Sequence, residues 1–276
     1  MQVQRAGKSM NDVQSNHDFR NITLDEAGIK DLQYPVTLLD RANERQRTVA
    51  NISMSVELPH HFKGTHMSRF VEVLAAHTCE FDGRTIPAIL AELKQVLDAE
   101  SARMTISFPY FLEKKAPVTG ITAKMNYQCT FYGTSGPEGE DFVLGVTVPV
   151  SSLCPCSREI SSYGAHNQRG HITIEVRSLP DEKGIPVIVW IEELIEVAES
   201  SASSPVYSVL KRPDEKHVTE LAYDNPVFVE DMVRNAGERL MEDDRLTWFQ
   251  VTAENQESIH NHTAYARFEW NRDGGN

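Results

Sequence analysis

The stretch GITAKMNYQCTFYGTSGPEGEDFVLGVTVPV, residues 120–150, predicts two long β-strands joined by a turn. Its outer parts, 120–132 and 141–150, have the composition of strands, with many β-branched and aromatic residues. The intervening segment 133–139 contains three glycines and a proline, which is typical of a turn. Because strands connected this closely pair in antiparallel fashion, the stretch predicts an antiparallel sheet from which the rest of the chain extends.

Paired strands and paired helices alternate on both sides of this hairpin. We predict further strands at 45–58, 104–111, 171–176, 247–253 and 263–270, and helices at 66–77, 87–99, 187–199 and 226–241. The strands follow from alternating apolar residues and the helices from apolar residues three and four apart. This order predicts two β-β-α-α-β-β units, an α+β fold with the helices on one face of antiparallel sheets. Oligomerisation can close the open edges of such sheets into a barrel.

The predicted units divide the chain into three parts. Residues 1–28 are polar with little periodicity, and we expect them to form a flexible leader. The first unit then covers 29–138 and the second covers 139–276.

The composition is that of a globular chain with an acidic surface. Of the 276 residues, 40% are hydrophobic and 24% are charged, and the formal net charge is −13. This acidity argues against non-specific nucleic-acid binding and against adhesion to an anionic membrane. The longest apolar runs, such as 185–191, fall far short of the roughly 20 residues of a membrane span, and the N-terminus lacks a signal-peptide core. We therefore expect a cytoplasmic protein.

Cysteine and histidine lie close together in two neighbouring segments. Cys154 and Cys156 form a CxC pair, and His166 follows twelve residues after Cys154. A free cysteine is often a small buried hydrophobic residue. A thiolate and an imidazole around one loop can also share a cation, and the residues alone leave both interpretations open.

Carboxylates and a further histidine occur in three later segments. Glu215 lies in a charged run of the kind that usually forms a solvated face. Glu230, near the start of an amphipathic helix, suits either the positive end of the helix dipole or recognition of N–H groups on a heterocycle. Glu257 and His260 join two strands and are candidates for proton transfer or metal binding.

Positive charge is concentrated in short segments despite the acidic total. Lys63 precedes a predicted helix, whose N-terminus can hold a phosphate. Arg69 and Arg212 lie in two further basic segments. Neither GxxxxGKS/T nor GxGxxG occurs, so a P-loop or Rossmann nucleotide site is unsupported. Together with the thiol, histidine and carboxylate residues, these segments suggest a metal site that acts on a phosphorylated substrate.

Seven strings of the sequence closely resemble the type IB GTP cyclohydrolase I family. They are YPVT (34–37), LDRAN (39–43), LPHHFKGTHMSRF (58–70), SLCPCS (152–157), YGAHNQR (163–169), KRPDEK (211–216) and NQESIH (255–260). The resemblance covers nearly the whole chain after the leader. It implies a tunnelling fold with two β-β-α-α-β-β units in tandem, and homotetramers with active sites at subunit interfaces.

The resemblance also implies a reaction. GTP and water would give 7,8-dihydroneopterin triphosphate and formate, the first step of tetrahydrofolate biosynthesis, with a divalent ion of zinc, manganese or iron. A divalent cation lowers the pKa of bound water from 15.7 towards about 7, which would make water a nucleophile towards C8 of guanine.

The matching positions imply roles for individual residues. Cys154 and His166 would be metal ligands, Cys154 thereby belonging to the catalytic set, and Glu215 would be a further ligand or lie close to one. Cys156 would lie next to the metal ligands without binding the metal itself.

Six further side chains complete the implied site. Glu230 would hold the guanine edge, and adenine, which lacks the N1–H and 2-amino donors, would be rejected. Catalytic Glu257 and His260 would lie beside the metal, with His260 moving protons. Triphosphate contacts would come from Lys63, Arg69 and Arg212, in part from a neighbouring chain.

Two other functions are compatible with parts of this pattern. A deazapurine nitrile reductase of the same fold would use cysteine as a covalent nucleophile and NADPH as reductant, but it would not need the metal set. A non-catalytic purine or pterin-binding module would keep Glu230 and need no metal at all. Metal-dependent formate release separates both from a cyclohydrolase.

Overall fold

The computed structural model describes residues 14, 16–77, 80–272 and 274. Residues 1–13 and 15, half of the predicted leader, lie outside the described residues, as does Cys79. The first strand begins at Leu24, five residues before the predicted start of the first unit at 29.

All nine strands of the described residues belong to one antiparallel sheet. Its strands are β1 (Leu24–Asp40), β2 (Glu44–Leu58), β3 (Ala102–Lys115), β4 (Thr122–Gly136), β5 (Gly139–Leu153), β6 (Asn167–Ser178), β7 (Ser204–Pro205), β8 (Leu246–Glu257) and β9 (Thr263–Asn271). The order across the sheet is β1-β2-β3-β4-β5-β6-β8-β9, with the short β7 paired to β5. The boundary predicted between residues 138 and 139 falls in the β4–β5 turn, where the sheet continues unbroken.

Six helices accompany the sheet in the described residues. They are α1 (Met67–Ala76), α2 (Thr85–Leu97), α3 (Pro155–Ile160), α4 (Ile191–Ser201), α5 (Arg212–Asp224) and α6 (Val229–Met241). None of the helices described is long and apolar enough to cross a membrane.

The core lies between the helices and one face of the sheet. Alternate residues of each central strand are buried, for example Val146, Val148 and Val150 of β5. They pack with the apolar faces of the helices in one continuous cluster that includes Leu90 and Met232. Apolar residues at every second position of the strands therefore determine which face of the sheet the helices cover.

The first half of the chain has the predicted order, and the second half departs from it. Strands and helices β1-β2-α1-α2-β3-β4 follow the expected pattern, whereas α3 and α5 are additional helices in the second half. The helix predicted at 187–199 begins only at Ile191, because the residues before it are extended and Val187 N–H donates to the Leu179 carbonyl over 2.8 Å.

The strand registers define two ends of the sheet. At what we call the Leu58 end, β2 ends beside the start of β3, since Val56 pairs with Ala102, and the β4–β5 turn lies nearby. At the Leu153 end, β5 meets the start of β6, since Leu153 pairs with Asn167. The end of β8 and the start of β9 also lie at the Leu153 end. The 15 residues of β5 separate the two ends by about 50 Å.

Gly133 of β4 allows α2 to approach the sheet closely. A Cβ atom at this position would stand 2.4 Å from Ile86 Cγ2 and 3.2 Å from Leu90 Cδ1. Both side chains are buried and, in the case of Ile86, stiff at χ1. Any side chain at position 133 must therefore push α2 away from the sheet.

We expect Gly133→Ala to lower the free energy of unfolding by about 1–3 kcal/mol, because overpacking forces a shift of α2. The matched control is Gly145→Ala on β5, whose Cβ would meet its nearest atoms at an ordinary 3.6 Å. Thermal unfolding at one protein concentration compares the two variants. Equal stability of both would contradict the close approach of α2.

Candidate active site

The structure gathers most of the predicted site residues at the Leu153 end of the sheet. Those carried there by the strand ends or by the starts of α5 and α6 are Cys154, His166, Arg212, Glu215, Glu230, Glu257 and His260. Lys63 and Arg69 lie at the Leu58 end instead, after β2.

Cys154 and His166 face each other where the β5–β6 ladder continues beyond its last strand pair. Cys154 N–H donates to the His166 carbonyl over 3.1 Å, one step beyond the pairing of Leu153 with Asn167. Residues directly opposite each other in an antiparallel ladder place their side chains on the same face. The local backbone thus directs the thiol and the imidazole to the same face of the sheet.

Ser157 of α3 forms hydrogen bonds with both Cys154 and His166. Its N–H lies 3.5 Å from Cys154 Sγ, and its hydroxyl donates to the Cys154 carbonyl over 3.3 Å. The same hydroxyl oxygen accepts the His166 N–H over 3.1 Å. Cys154 therefore caps α3 with its side chain while Pro155, at the first helical position, fixes the turn.

The chemistry of the pair fits two ligands of a borderline-soft divalent cation. His166 Nδ1 is buried and has no hydrogen-bond partner in the described part of the chain. Buried polar atoms without partners are rare and need an explanation, and a metal ion would supply one beside a thiolate. Across the described residues, however, no three His, Cys, Asp or Glu side chains are close enough to share an ion.

Glu215 is held on α5, apart from the Cys154–His166 pair. The preceding residue, Asp214, is fully buried and accepts the N–H groups of Val118 (2.9 Å), Thr119 (2.8 Å) and Lys211 (2.9 Å). Burial alone would raise the pKa of Asp214, but these bonds outweigh it and hold the pKa well below its usual range. The start of α5 is therefore fixed at the β3–β4 turn.

The other end of α5 reaches the Cys154 segment. The Arg158 guanidinium of α3 lies 4.6 Å from the centre of the Tyr223 ring, near the C-terminus of α5. Glu215 precedes Tyr223 by eight residues, which corresponds to about 12 Å along the helix axis. α5 therefore crosses the Leu153 end with Glu215 exposed on its first turn.

Glu257 and His260 form a pair at the end of β8. His260 Nε2 lies 3.5 Å from Glu257 Oε2, and the His260 N–H donates to the Glu257 carbonyl over 3.3 Å. Glu257 lies directly opposite Gln168, two residues after His166. The Cα atom of Glu257 is therefore about 8 Å from the Cα atom of His166.

Two buried hydrogen-bond acceptors lie next to this pair and were not predicted as site residues from the sequence. Gln168 Oε1 and Asn255 Oδ1 have no hydrogen-bond partner in the part of the chain that the structure describes. Asn255 lies opposite Gly170, where a Cβ atom would come within 2.1 Å of the Asn255 Oδ1. Both residues belong to strings that carry the family resemblance, which was the available signal. Buried polar atoms without partners are rare, which makes these two oxygens candidates for contact with a bound group.

Glu230 lies exposed on the first turn of α6, at the mouth of a groove. The groove runs between α6 and the edge strand β9, and its walls include Val233, Ala266 and Phe268. A carboxylate beside apolar and aromatic surface suits a flat heterocycle that presents N–H donors.

The predicted triphosphate residues are divided between the two ends. Arg212 is the first residue of α5, at the Leu153 end. Lys63 is exposed beyond the end of β2, and Arg69 Nη1 donates to the Val96 carbonyl at the end of α2 over 3.0 Å. Within one chain, Lys63 and Arg69 therefore lie about 50 Å from Cys154 along the sheet.

Solved structures with a similar fold include urate oxidases. That of Bacillus sp. TB-90 is 11% identical, with a TM-score of 0.55 over 90% of this chain and 100% of that chain. That of Bacillus subtilis 168 is 7% identical, with a TM-score of 0.52 over 90% and 99%. At these identities the likeness shows the fold alone, and it confirms the predicted α+β tunnelling fold.

Sequence comparisons identify the family. The model of type I GTP cyclohydrolase FolE2 matches residues 10–266. GTP cyclohydrolase FolE2 of Geobacter sulfurreducens is 54% identical over 94% of this chain and 98% of its own length. The enzyme of the same name from Syntrophus aciditrophicus is 52% identical over 94% and 99%. The chain therefore belongs to the FolE2 family of type I GTP cyclohydrolases.

Proposed function

We propose that this chain is a GTP cyclohydrolase I, which hydrolyses GTP to 7,8-dihydroneopterin triphosphate and formate in tetrahydrofolate biosynthesis. Relatives that bear the name GTP cyclohydrolase are more than half identical over most of the chain. The observation that carries the proposal is the placement of Cys154 and His166 opposite each other, at the start of the strand β6 that also pairs with Glu257 of β8.

Cys154 and His166 would hold a divalent cation, with Glu215 as a third ligand. The buried, unpartnered His166 Nδ1 supports this assignment. Zinc, manganese and iron all suit such a donor set, and availability often decides among them. When bound, the ion would act as a Lewis acid that lowers the pKa of the water that attacks guanine C8.

Glu257 and His260 would move the protons that the reaction requires. Opening of the imidazole ring and release of formate both need protons at ring nitrogens, and an imidazole paired with a carboxylate can take up and release them near neutral pH. The 3.5 Å separation of His260 Nε2 from Glu257 Oε2 allows the carboxylate to orient the imidazole.

Glu230 would recognise guanine through its N1–H and 2-amino groups. Both groups are donors, and a carboxylate accepts two hydrogen bonds side by side. The apolar wall of the groove between α6 and β9 would cover a face of the base.

The triphosphate would be bound by Arg212 of one chain and by Lys63 and Arg69 of another. The separation of about 50 Å along the sheet between Lys63 and Cys154 of one chain supports a site to which two chains contribute. The assembly would be a homotetramer, in which the unpaired outer edges of β1 and β9 close into barrels.

We expect Cys154→Ala to reduce formate release by at least about 10³-fold and to lower the bound metal, since a thiolate ligand is lost. Metal analysis of the purified protein, combined with a formate assay after reconstitution with each ion, measures both effects. The exposed Cys156, two residues later, provides the matched control, and Cys156→Ala should retain the metal. Unchanged formate release by Cys154→Ala would contradict the proposal.

We expect Glu230→Gln to raise KM for GTP roughly 10- to 100-fold, because the uncharged amide loses a charge-assisted pair of hydrogen bonds. The effect on inosine triphosphate, which lacks the 2-amino group, should be smaller. Glu238→Gln, on the same groove and helix, is the matched control and should leave KM unchanged. Equal effects of both substitutions would rule out Glu230 as the guanine carboxylate.

We expect Lys63→Ala and Cys154→Ala to complement each other when both chains are co-expressed. If a site combines Lys63 of one chain with Cys154 of another, random assembly leaves about a quarter of the sites intact. Formate release at GTP concentrations below KM measures the recovery against each variant alone. No recovery, or full activity of Lys63→Ala alone, would remove Lys63 from the triphosphate site.

A further inference from the structure

We propose that Ser152 is a positioning residue that fixes the guanine-binding carboxylate of Glu230 relative to the Cys154–His166 pair. The inference rests on the proposed function and concerns a residue that contacts neither metal nor substrate in that scheme. Ser152 lies on β5, two residues before Cys154, and is completely buried.

The Ser152 hydroxyl joins two strands of the sheet to the segment that precedes α6. It donates to the Val227 carbonyl over 2.9 Å, and it accepts the Gln168 amide Nε2 over 3.4 Å. Val227 stands three residues before Glu230. The bond therefore ties the start of α6 to the strand that leads into the Cys154 segment.

Gln168 extends the same connection to the other site residues. It pairs with Ser152 on one side and with Glu257 on the other, and it follows His166 by two residues. Ser152, Gln168 and Glu257 thus form one row across three strands on the helix-covered face of the sheet, two residues along from Cys154 and His166. A shift of Ser152 or Gln168 would change the distance between the two pairs.

Few other bonds hold the segment before α6 in place. Asn225 Nδ2 donates to the carbonyls of Ala202 (3.0 Å) and Ser203 (3.4 Å), which anchors the segment at its start. Phe228 N–H donates to Asp231 Oδ2 over 3.1 Å, but this bond lies within α6 and moves with it. Val227 and Val229 also pack in the core, and the Ser152 hydrogen bond is the polar contact that joins this segment directly to β5.

The position of Glu230 matters because two hydrogen bonds to guanine require accurate placement. A small displacement of this carboxylate lengthens or bends both hydrogen bonds to the bound base, which weakens binding and raises KM. Removal of the Ser152 hydroxyl leaves the Val227 carbonyl without its donor and lets the first turn of α6 drift. The metal pair is held by separate bonds through Ser157 and should stay in place.

We expect Ser152→Ala to raise KM for GTP about 5- to 20-fold, with less than a threefold change in kcat, because ground-state placement of the base is what is lost. Bound metal should be unchanged, and the preference for GTP over inosine triphosphate should fall. Ser152→Thr keeps the hydroxyl and should restore KM to near the original value.

The matched control is Ser201→Ala on α4. Ser201 is also completely buried, and its hydroxyl donates to a backbone carbonyl, that of Val197, over 2.7 Å. This bond lies within α4 and should affect thermal stability without moving KM. A rise in KM for Ser201→Ala equal to that for Ser152→Ala would overturn the inference, since general loosening would then explain both.

A double-mutant cycle with Glu230→Gln provides a test that does not depend on Ser152→Thr folding well. If Ser152 acts through Glu230, Ser152→Ala should add little to the KM of Glu230→Gln. A full additional rise in KM would overturn the inference. If Glu230→Gln changes KM and Ser152→Ala does not, this inference alone fails; if Glu230→Gln itself has no effect, the guanine assignment fails and this inference with it.

Discussion

The register between β5 and β6 is the constraint on which the candidate site depends. Ser152 pairs with Gln168 and Leu153 with Asn167, so that Cys154 and His166 come opposite each other at the next step. A slip of one residue would turn every side chain of one strand to the other face of the sheet. The thiol and the imidazole would then be separated by the sheet itself. Burial of Val146, Val148 and Val150 against the helices opposes such a slip, so the apolar core fixes the geometry of a polar site.

The same register explains why chemistry-bearing residues far apart in the sequence occupy one end of the sheet. β6 pairs with β8, which brings Glu257 opposite Gln168 although 89 positions separate them in the sequence. Backbone hydrogen bonds supply the precision here, because long strands leave little freedom to their ends. Polar side chains help to hold α3, α5 and α6 at this end, namely Ser157, Asp214 and Ser152.

The sequence predicts the regular parts of this fold and misses the parts held by polar anchors. The hairpin at 120–150 and helix α6 show clear periodicity, because each has one apolar face. α5 does not, since its buried residues are Asp214 and Ala222 and its stability comes from hydrogen bonds to the β3–β4 turn. The sequence pattern did not predict β1 as a strand, because its first half is largely exposed and its pairing with β2 has two register shifts.

For the site, resemblance supplied the residues and the structure supplied their grouping. Cys154, His166 and Glu257 could be named from strings of sequence, but their common end of the sheet depends on strand register, which one sequence does not reveal. Ser152 and Gln168 lie inside the same strings, yet their contacts with each other and with Val227 become visible only in three dimensions.

The direction of the edge strands shows that barrel closure and a triphosphate contact by Lys63 would need different interfaces. β9 runs from the Leu153 end to the Leu58 end, and β1 runs the opposite way. Antiparallel pairing of β9 with β1 of another chain therefore keeps like ends together and gathers all Leu153 ends at one rim of a barrel. Barrel closure alone cannot bring Lys63 to Cys154, because their separation along the barrel axis stays the same. A triphosphate contact by Lys63 would need a second interface, between barrels, and such a contact would tie catalysis to the larger assembly.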